Sequence, residues 1–287
     1  MPSLKQASNV TTTMSLQFNY THLSKLPLIC TLAFVSFFAT KVSAWGANGH
    51  RIVGAIAEHH LDADAKQQVS TILAGHSMAR VSTWADEMRS SSDTFWQKQA
   101  SPWHYINIDS VEEFTHQHFS AKEHKHDVKD AYTAILTAMK ALRSPKTSQQ
   151  QQQFYLRFLI HIIGDIHQPM HVGNAEDRGG NRIDVTFFRE QTNLHRLWDT
   201  DLVESQKLSY SEYADFLCCV DIKAINKDLD IKKWLIESHH LAQDIYANTG
   251  EQVSYDYVFT YRPVMEQQLQ RAGVRLAAVL NALYGQQ

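Results

Sequence analysis

The stretch Phe158-Leu159-Ile160-His161-Ile162-Ile163-Gly164-Asp165-Ile166-His167-Gln168-Pro169-Met170-His171 decides both the fold and the chemistry of this chain. Its aliphatic run reads as a buried helix, in which His161 and Asp165 stand four apart and therefore on one face. An ionised aspartate and two histidines in an apolar helix are costly without compensation, and shared coordination of a dication is the commonest way to supply it. Pro169 stops the helix, and His171 just beyond it is placed to turn a third donor toward the same cavity. The alternative is a set of core histidines satisfied by ordinary hydrogen bonds.

Outward from that helix, apolar residues recur at spacings of three and four in Ile52 to Leu61, Ala65 to Leu73, Val128 to Leu142, Trp234 to Tyr246 and Val264 to Leu283. The fold class is mainly α, a single helical domain. Gly46 and Gly49 are expected to precede the first helix, and Gly250 follows the penultimate one. Gln149 to Gln153 reads as a polar lead-in to the central helix. Arg182 to Phe188, behind a Gly179-Gly180-Asn181 turn, has a β-like pattern and predicts one small hairpin.

Leu26 to Thr40 form an apolar run after Lys25, closed by Val42-Ser43-Ala44, which marks residues 1–44 as a signal peptide and 45–287 as the mature domain. The stretch ahead of Lys25 is long for a signal, so Met14 is an alternative start. The run is too short for a permanent span, and nothing later replaces it, so a secreted or periplasmic protein without a membrane partner is expected. The leader carries Lys5, Lys25 and Lys41 and no acid; 27 basic residues less these three leave 24 against 30 acidic ones. That acidic balance excludes a broad basic patch as the means of holding a polyanion. Positive charge would have to be local, as bound metal makes it. Cys30 leaves with the leader, and the adjacent Cys218 and Cys219 read as two small buried residues.

A second pair, His195 and Asp199 in Asn193-Leu194-His195-Arg196-Leu197-Trp198-Asp199, repeats the spacing of four, although alone it fits a surface helix equally well. Trp45-Gly46-Ala47-Asn48-Gly49-His50 stands directly at the cut. There a free amino group and carbonyl can chelate a metal with His50, or Trp45 can plug the core while His50 caps a helix. Asp86 and Arg89 in Ser82-Thr83-Trp84-Ala85-Asp86-Glu87-Met88-Arg89 read first as an intrahelical ion pair, and Pro102-Trp103-His104-Tyr105-Ile106-Asn107 supplies one more imidazole. Spacing alone does not select either fragment. His116, His118, His124 and His126 read as a solvated loop, and His59, His60, His239 and His240 as structural.

Taken together and in order, these motifs resemble the zinc-dependent single-strand-specific nucleases of fungi, plants and bacteria, a family related in fold to zinc-dependent phospholipase C. The likeness runs from Trp45 to Arg271-Ala272-Gly273-Val274-Arg275-Leu276. It implies a single helical domain of the phospholipase C type with three zinc ions per chain. By the resemblance, Asp86, His104, His161 and Asp165 hold one zinc, and His171, His195 and Asp199 a second with open positions. Trp45, His50 and again Asp165 hold the third. The resemblance also implies in-line attack of a metal-activated water, with Asp86 and Asp165 catalytic through the metals and Arg89 bracing the phosphate oxygens. Tyr105 would stack a base, although core packing is its plainer reading; Asn181 would touch phosphate, and Asn107 stands where many relatives carry aspartate. His167 matches no ligand and is expected behind the ligands. Substrates are then single-stranded RNA or DNA and 3′-nucleotides, products carry 5′ phosphate, and a monomer is expected. Two other readings compete: a zinc-dependent phospholipase C, and a non-catalytic zinc-binding protein. The spacing of Trp45 and His50, and a last pair ending in Asp199 rather than glutamate, favour the nuclease over the first. Arg89 and an open zinc position speak against the second.

Overall fold

Seven helices of eight residues or more are described: α1 (Ala47–His59), α2 (Ala63–Ile72), α3 (Ala131–Arg143), α4 (Gln149–Asp165), α5 (Tyr210–Cys218), α6 (Ile231–Asn248) and α7 (Tyr255–Tyr284). The computed structural model describes residues 45–112, 114–115, 128–218, 225 and 227–285. The leader, the stretch with His116, His118, His124 and His126, and Cys219 lie outside the described residues. Cys218 is partly buried. All described residues fall within one compact unit. Among them, no helix is long and apolar enough to cross a membrane.

Local sequence sets the helix starts. Ser148 caps α4 by accepting from the Gln151 amide at 3.3 Å while the Gln151 side chain accepts from the Ser148 amide at 3.1 Å, a reciprocal capping box. The glutamine run is therefore the opening of the helix itself rather than a lead-in. Asp130 and Thr133 close the same box on α3. Further along, α4 is lined by core, with Phe158 through Asp165 all buried. It packs against α3, and α1 lies against α7 and α5.

Two further helix starts differ from the periodicity. α1 begins at Ala47, so Gly49 and His50 lie inside its first turn. A Cβ on Gly49 would come 3.0 Å from that of Trp45, so glycine there lets the Trp45 side chain lie close against the helix. α7 begins at Tyr255 and runs through Pro263, the breaker that hides its first two turns. The proline forfeits one backbone bond, and burial of Tyr257 and Tyr261 on those turns offsets the loss. The hairpin is present as β1 (Asp184–Phe187) and β2 (Glu190–Asn193), and β3 (Gln252–Val253) adds a parallel edge to β1. Two residues are too few for a strand to announce itself by alternation.

Candidate metal centre

The site gathers where short irregular pieces meet the C-terminal end of α4. His161 and Asp165 come from α4, His50 from α1, and Asp86 from the single turn Trp84–Glu87. His104 ends the 3₁₀ turn Ser101–His104, and His171 sits in the turn Pro169–Val172. His195 lies in the turn Leu194–Arg196, which Asn193 caps, and Asp199 in the π turn Leu197–Asp201 that follows. A π turn is a rare geometry that frequently occurs at functional sites. All but Asp86 are buried, and Asp86 is partly so.

Within this cluster three groups have donor atoms mutually within 4.8 Å: His50 with His161 and Asp165; Asp86 with His104 and His161; His171 with His195 and Asp199. Asp165 divides its carboxylate between partners. Its Oδ1 faces His50 Nε2 at 3.3 Å, while Oδ2 faces His104 Nδ1 at 3.1 Å and His161 Nε2 at 3.3 Å. In the last group His195 Nε2 stands 3.1 Å from Asp199 Oδ2, and His171 Nε2 3.5 Å from Asp199 Oδ1.

Backbone carbonyls set the aim of these imidazoles. Nδ1 of His161 donates to the Ser82 carbonyl, that of His171 to His104, and that of His195 to Gly179, each at 2.6 Å. With Nδ1 donating to the backbone, each Nε2 is turned inward, the arrangement that metal-binding histidines use. The backbone also ties His104 to His171, because the Ile106 amide donates to the His171 carbonyl at 2.9 Å. The segment after His104 thus runs alongside the turn that carries His171.

The donor set can be tested against a metal directly. Nε2 of His50, His171 and His195 and Oδ1 of Asp165 are buried and make no hydrogen bond. Each buried unsatisfied polar atom costs about 1–3 kcal/mol, so four among these side chains point to shared partners that accept lone pairs. Mixed imidazole and carboxylate donors in groups of three suit zinc. The residues fit the group.

Electrostatics agree. Against the cost of burial, His161 and the other imidazoles hold the Asp165 carboxyl well below the usual range. Burial likewise opposes Asp199, yet His195 and His171 bring it down to about 2. Burial pulls His161 down to about 3, so it is neutral and free to offer its lone pair. Burial would lower His171 too, but the Asp199 and Asp165 carboxylates overcome it and hold it at about 9. A metal at that group must therefore displace a proton.

The remaining sequence-predicted residues are placed as follows. Trp45 is fully buried, and the Gly46 amide donates to the Asp199 carbonyl at 2.6 Å, which sets the start of the described chain beside two of the groups. Arg89 sits 2.9 Å from Asp86 Oδ1, the expected close-range pair, with its side chain partly exposed at the rim. Tyr105 is partly exposed next to His104, and Asn107 is exposed. Asn181 spends its amide on the Arg178 carbonyl at 2.9 Å. His167 turns away from the groups: its Nδ1 donates to Ile163 and its Nε2 accepts from Arg275 at 3.1 Å. It links the end of α4 to α7. His239 donates to the Val172 carbonyl at 3.0 Å, consistent with a structural part.

One residue of the central motif acquires a part that spacing did not assign. Gln168, fully buried, donates from Nε2 to Asp199 Oδ1 while its Oε1 accepts from the Met170 amide at 2.6 Å. A polar amide in an apolar run was the available signal.

Comparison with known proteins agrees with the geometry. The family model described as S1/P1 Nuclease matches residues 45–285. Endonuclease 2 of Arabidopsis thaliana is 30% identical over 280 residues, covering 87% of this chain and 93% of the relative. Nuclease S1 of Aspergillus oryzae is 32% identical over 281 residues, covering 84% and 92%. Nuclease P1 of Penicillium citrinum is 32% identical over 159 residues, covering 54% and 57%. With its matched span containing every group of the centre, the chain belongs to the S1/P1 nuclease family and is a nuclease, a hydrolase acting on ester bonds.

Proposed function

We propose that this chain is an exported zinc-dependent endonuclease that hydrolyses single-stranded RNA and DNA to products carrying 5′ phosphate, and that it also acts on 3′-nucleotides. The observation that carries the reading is the convergence of three His/Asp groups in which Nε2 of His50, His171 and His195 and Oδ1 of Asp165 are buried without a hydrogen bond. Asp86, His104, His161 and Asp165 would hold one zinc; His171, His195 and Asp199 a second; Trp45, His50 and Asp165 the third. When bound, zinc supplies Lewis-acid polarisation of a phosphate and a more acidic water.

The chain's own residues supply the rest. Arg89 stands at the rim beside Asp86, where its fork can bind the non-bridging oxygens as charge grows on them. Tyr105, on extended backbone beside His104, offers a partly exposed ring on which an unpaired base can stack. That geometry supports a single-strand preference, because a duplex holds its bases away from such a ring and its backbone away from buried ligands. Residues 1–44 act as a signal peptide, and the mature chain works as a secreted or periplasmic monomer beginning at Trp45.

The test is hydrolysis of single-stranded RNA, single-stranded DNA and 3′-nucleotides by the purified mature chain, before chelation, after it, and after zinc is restored. Cleavage that is lost and then regained supports the reading; three intact substrates with zinc present overturn it. A chain with one added residue ahead of Trp45 should lose one zinc, because its amino group becomes an amide.

A further inference from the structure

The aim of His195 depends on the Gly179 carbonyl, and that carbonyl lies in a turn with unusual backbone. Gly179 and Gly180 have φ of 64° and 80°, and a Cβ on Gly179 would collide with the Met170 carbonyl oxygen. A turn pressed so closely against the segment carrying His171 needs to be held from its other side. Two side chains do so. Asp177 Oδ1 accepts from the Gly180 amide at 2.6 Å and from the Tyr246 hydroxyl at 2.9 Å. The same hydroxyl accepts from the Asn174 amide at 3.2 Å, and the Asn174 carbonyl accepts from the Gly179 amide at 2.9 Å. Tyr246 thus grips both ends of the turn from α6. Gly173 makes the reach feasible, since a Cβ there would come 2.5 Å from the Tyr246 oxygen.

We propose that Tyr246 and Asp177 are positioning residues that set the direction of His195 Nε2, and so tune zinc affinity at the His171, His195 and Asp199 group without touching the metal. The relay runs from the Tyr246 hydroxyl to the Asp177 carboxylate, to the Gly180 amide, and through the rigid Gly179–Gly180 peptide to the His195 Nδ1 proton. Residues that orient a ligand from behind typically change metal affinity about ten- to a hundredfold when removed. The effect is local, because His161 and His171 take their direction from the carbonyls of Ser82 and His104 instead. The inference rests on the zinc reading above.

The test measures zinc retained per chain across a series of chelator concentrations, by elemental analysis, for the parent and for Tyr246→Phe, Asp177→Ala and Asp177→Asn. Tyr246→Phe keeps the ring, so the fold is preserved. Both Tyr246→Phe and Asp177→Ala should give up one zinc at chelator levels about tenfold or more below those the parent tolerates, and keep the others. Asp177→Asn retains an acceptor oxygen for the Gly180 amide and should stay within a few-fold of the parent. In excess zinc, kcat of Tyr246→Phe should return to near the parent value, which a general folding defect would not allow. If Tyr246→Phe holds every zinc as tightly as the parent, or if all zinc affinities fall together, the proposal is overturned. A parent that binds no zinc overturns the zinc reading itself, a separate and distinguishable failure.

Discussion

Nε2 of His50 stands 3.3 Å from Oδ1 of Asp165, and neither atom makes a hydrogen bond. The other oxygen of Asp165 faces His104 and His161, so one carboxylate serves two groups of donors. Asp165→Asn leaves a single weak acceptor in place of two charged ones. It should cost at least two zinc ions per chain and more than about 100-fold in activity, beyond the range typical of residues that only support a ligand. Elemental analysis alongside the nuclease assay checks this, and full zinc retention would contradict the sharing.

Arg89 pairs with Asp86 but lies at the rim. Arg89→Ala should lower kcat by about 10²–10³-fold, the range for loss of one donor to a developing oxyanion, with zinc content unchanged. Arg89→Lys should rescue little, because an ammonium cannot reproduce the two-pronged contact. A loss of zinc in Arg89→Ala would instead assign the residue to holding Asp86.

Tyr105 is read as a stacking surface. Tyr105→Ala should raise KM for single-stranded substrates roughly ten- to a hundredfold, from a stacking contribution of about 1–3 kcal/mol per base. Tyr105→Phe should be nearly neutral. Thermal melting separates this from core packing, since a ring used only for packing would lower the melting temperature and leave KM unchanged.

The metal-free protein should lose stability in acid. Burial pulls both His161 and His167 from 6.5 down to about 3, with the Arg275 charge adding to the effect at His167. Both are neutral when folded, while the unfolded chain protonates them below about 6.5, so their support is complete above that pH and fades as pH falls toward 3. His171 acts in the opposite sense. Burial disfavours its charge, but Asp199 and Asp165 raise it to about 9, so its support is complete below 6.5 and fades as pH rises through 9. Melting of the chelated protein should therefore peak near neutrality and fall steeply below about pH 6.5; a flat profile there would contradict the buried neutral pair.

What the sequence disclosed follows from how locally each feature is encoded. His161 with Asp165 and His195 with Asp199 stand out because a helix or a wide turn converts a spacing of four into one face. Asp86 and His104 come from separate short turns brought to the centre by tertiary packing, and no period marks them; the family likeness placed them. Gly49 looked like a breaker because the rule for glycine knows nothing of the indole packed on it. Pro263 hid the start of α7 for the same reason, since tertiary burial outweighed local preference. The part played by Gln168, and the relay through Asp177 and Tyr246, depend on contacts across long stretches of chain that no local pattern records.

Anomalous diffraction at the zinc edge, from crystals of the zinc-loaded chain beginning at Trp45, would locate each metal and so decide on the three-zinc centre. Three peaks are predicted. One should lie among Asp86, His104, His161 and Asp165, one among His171, His195 and Asp199, and one between Trp45, His50 and Asp165. Peaks elsewhere, or none within these groups, would contradict it.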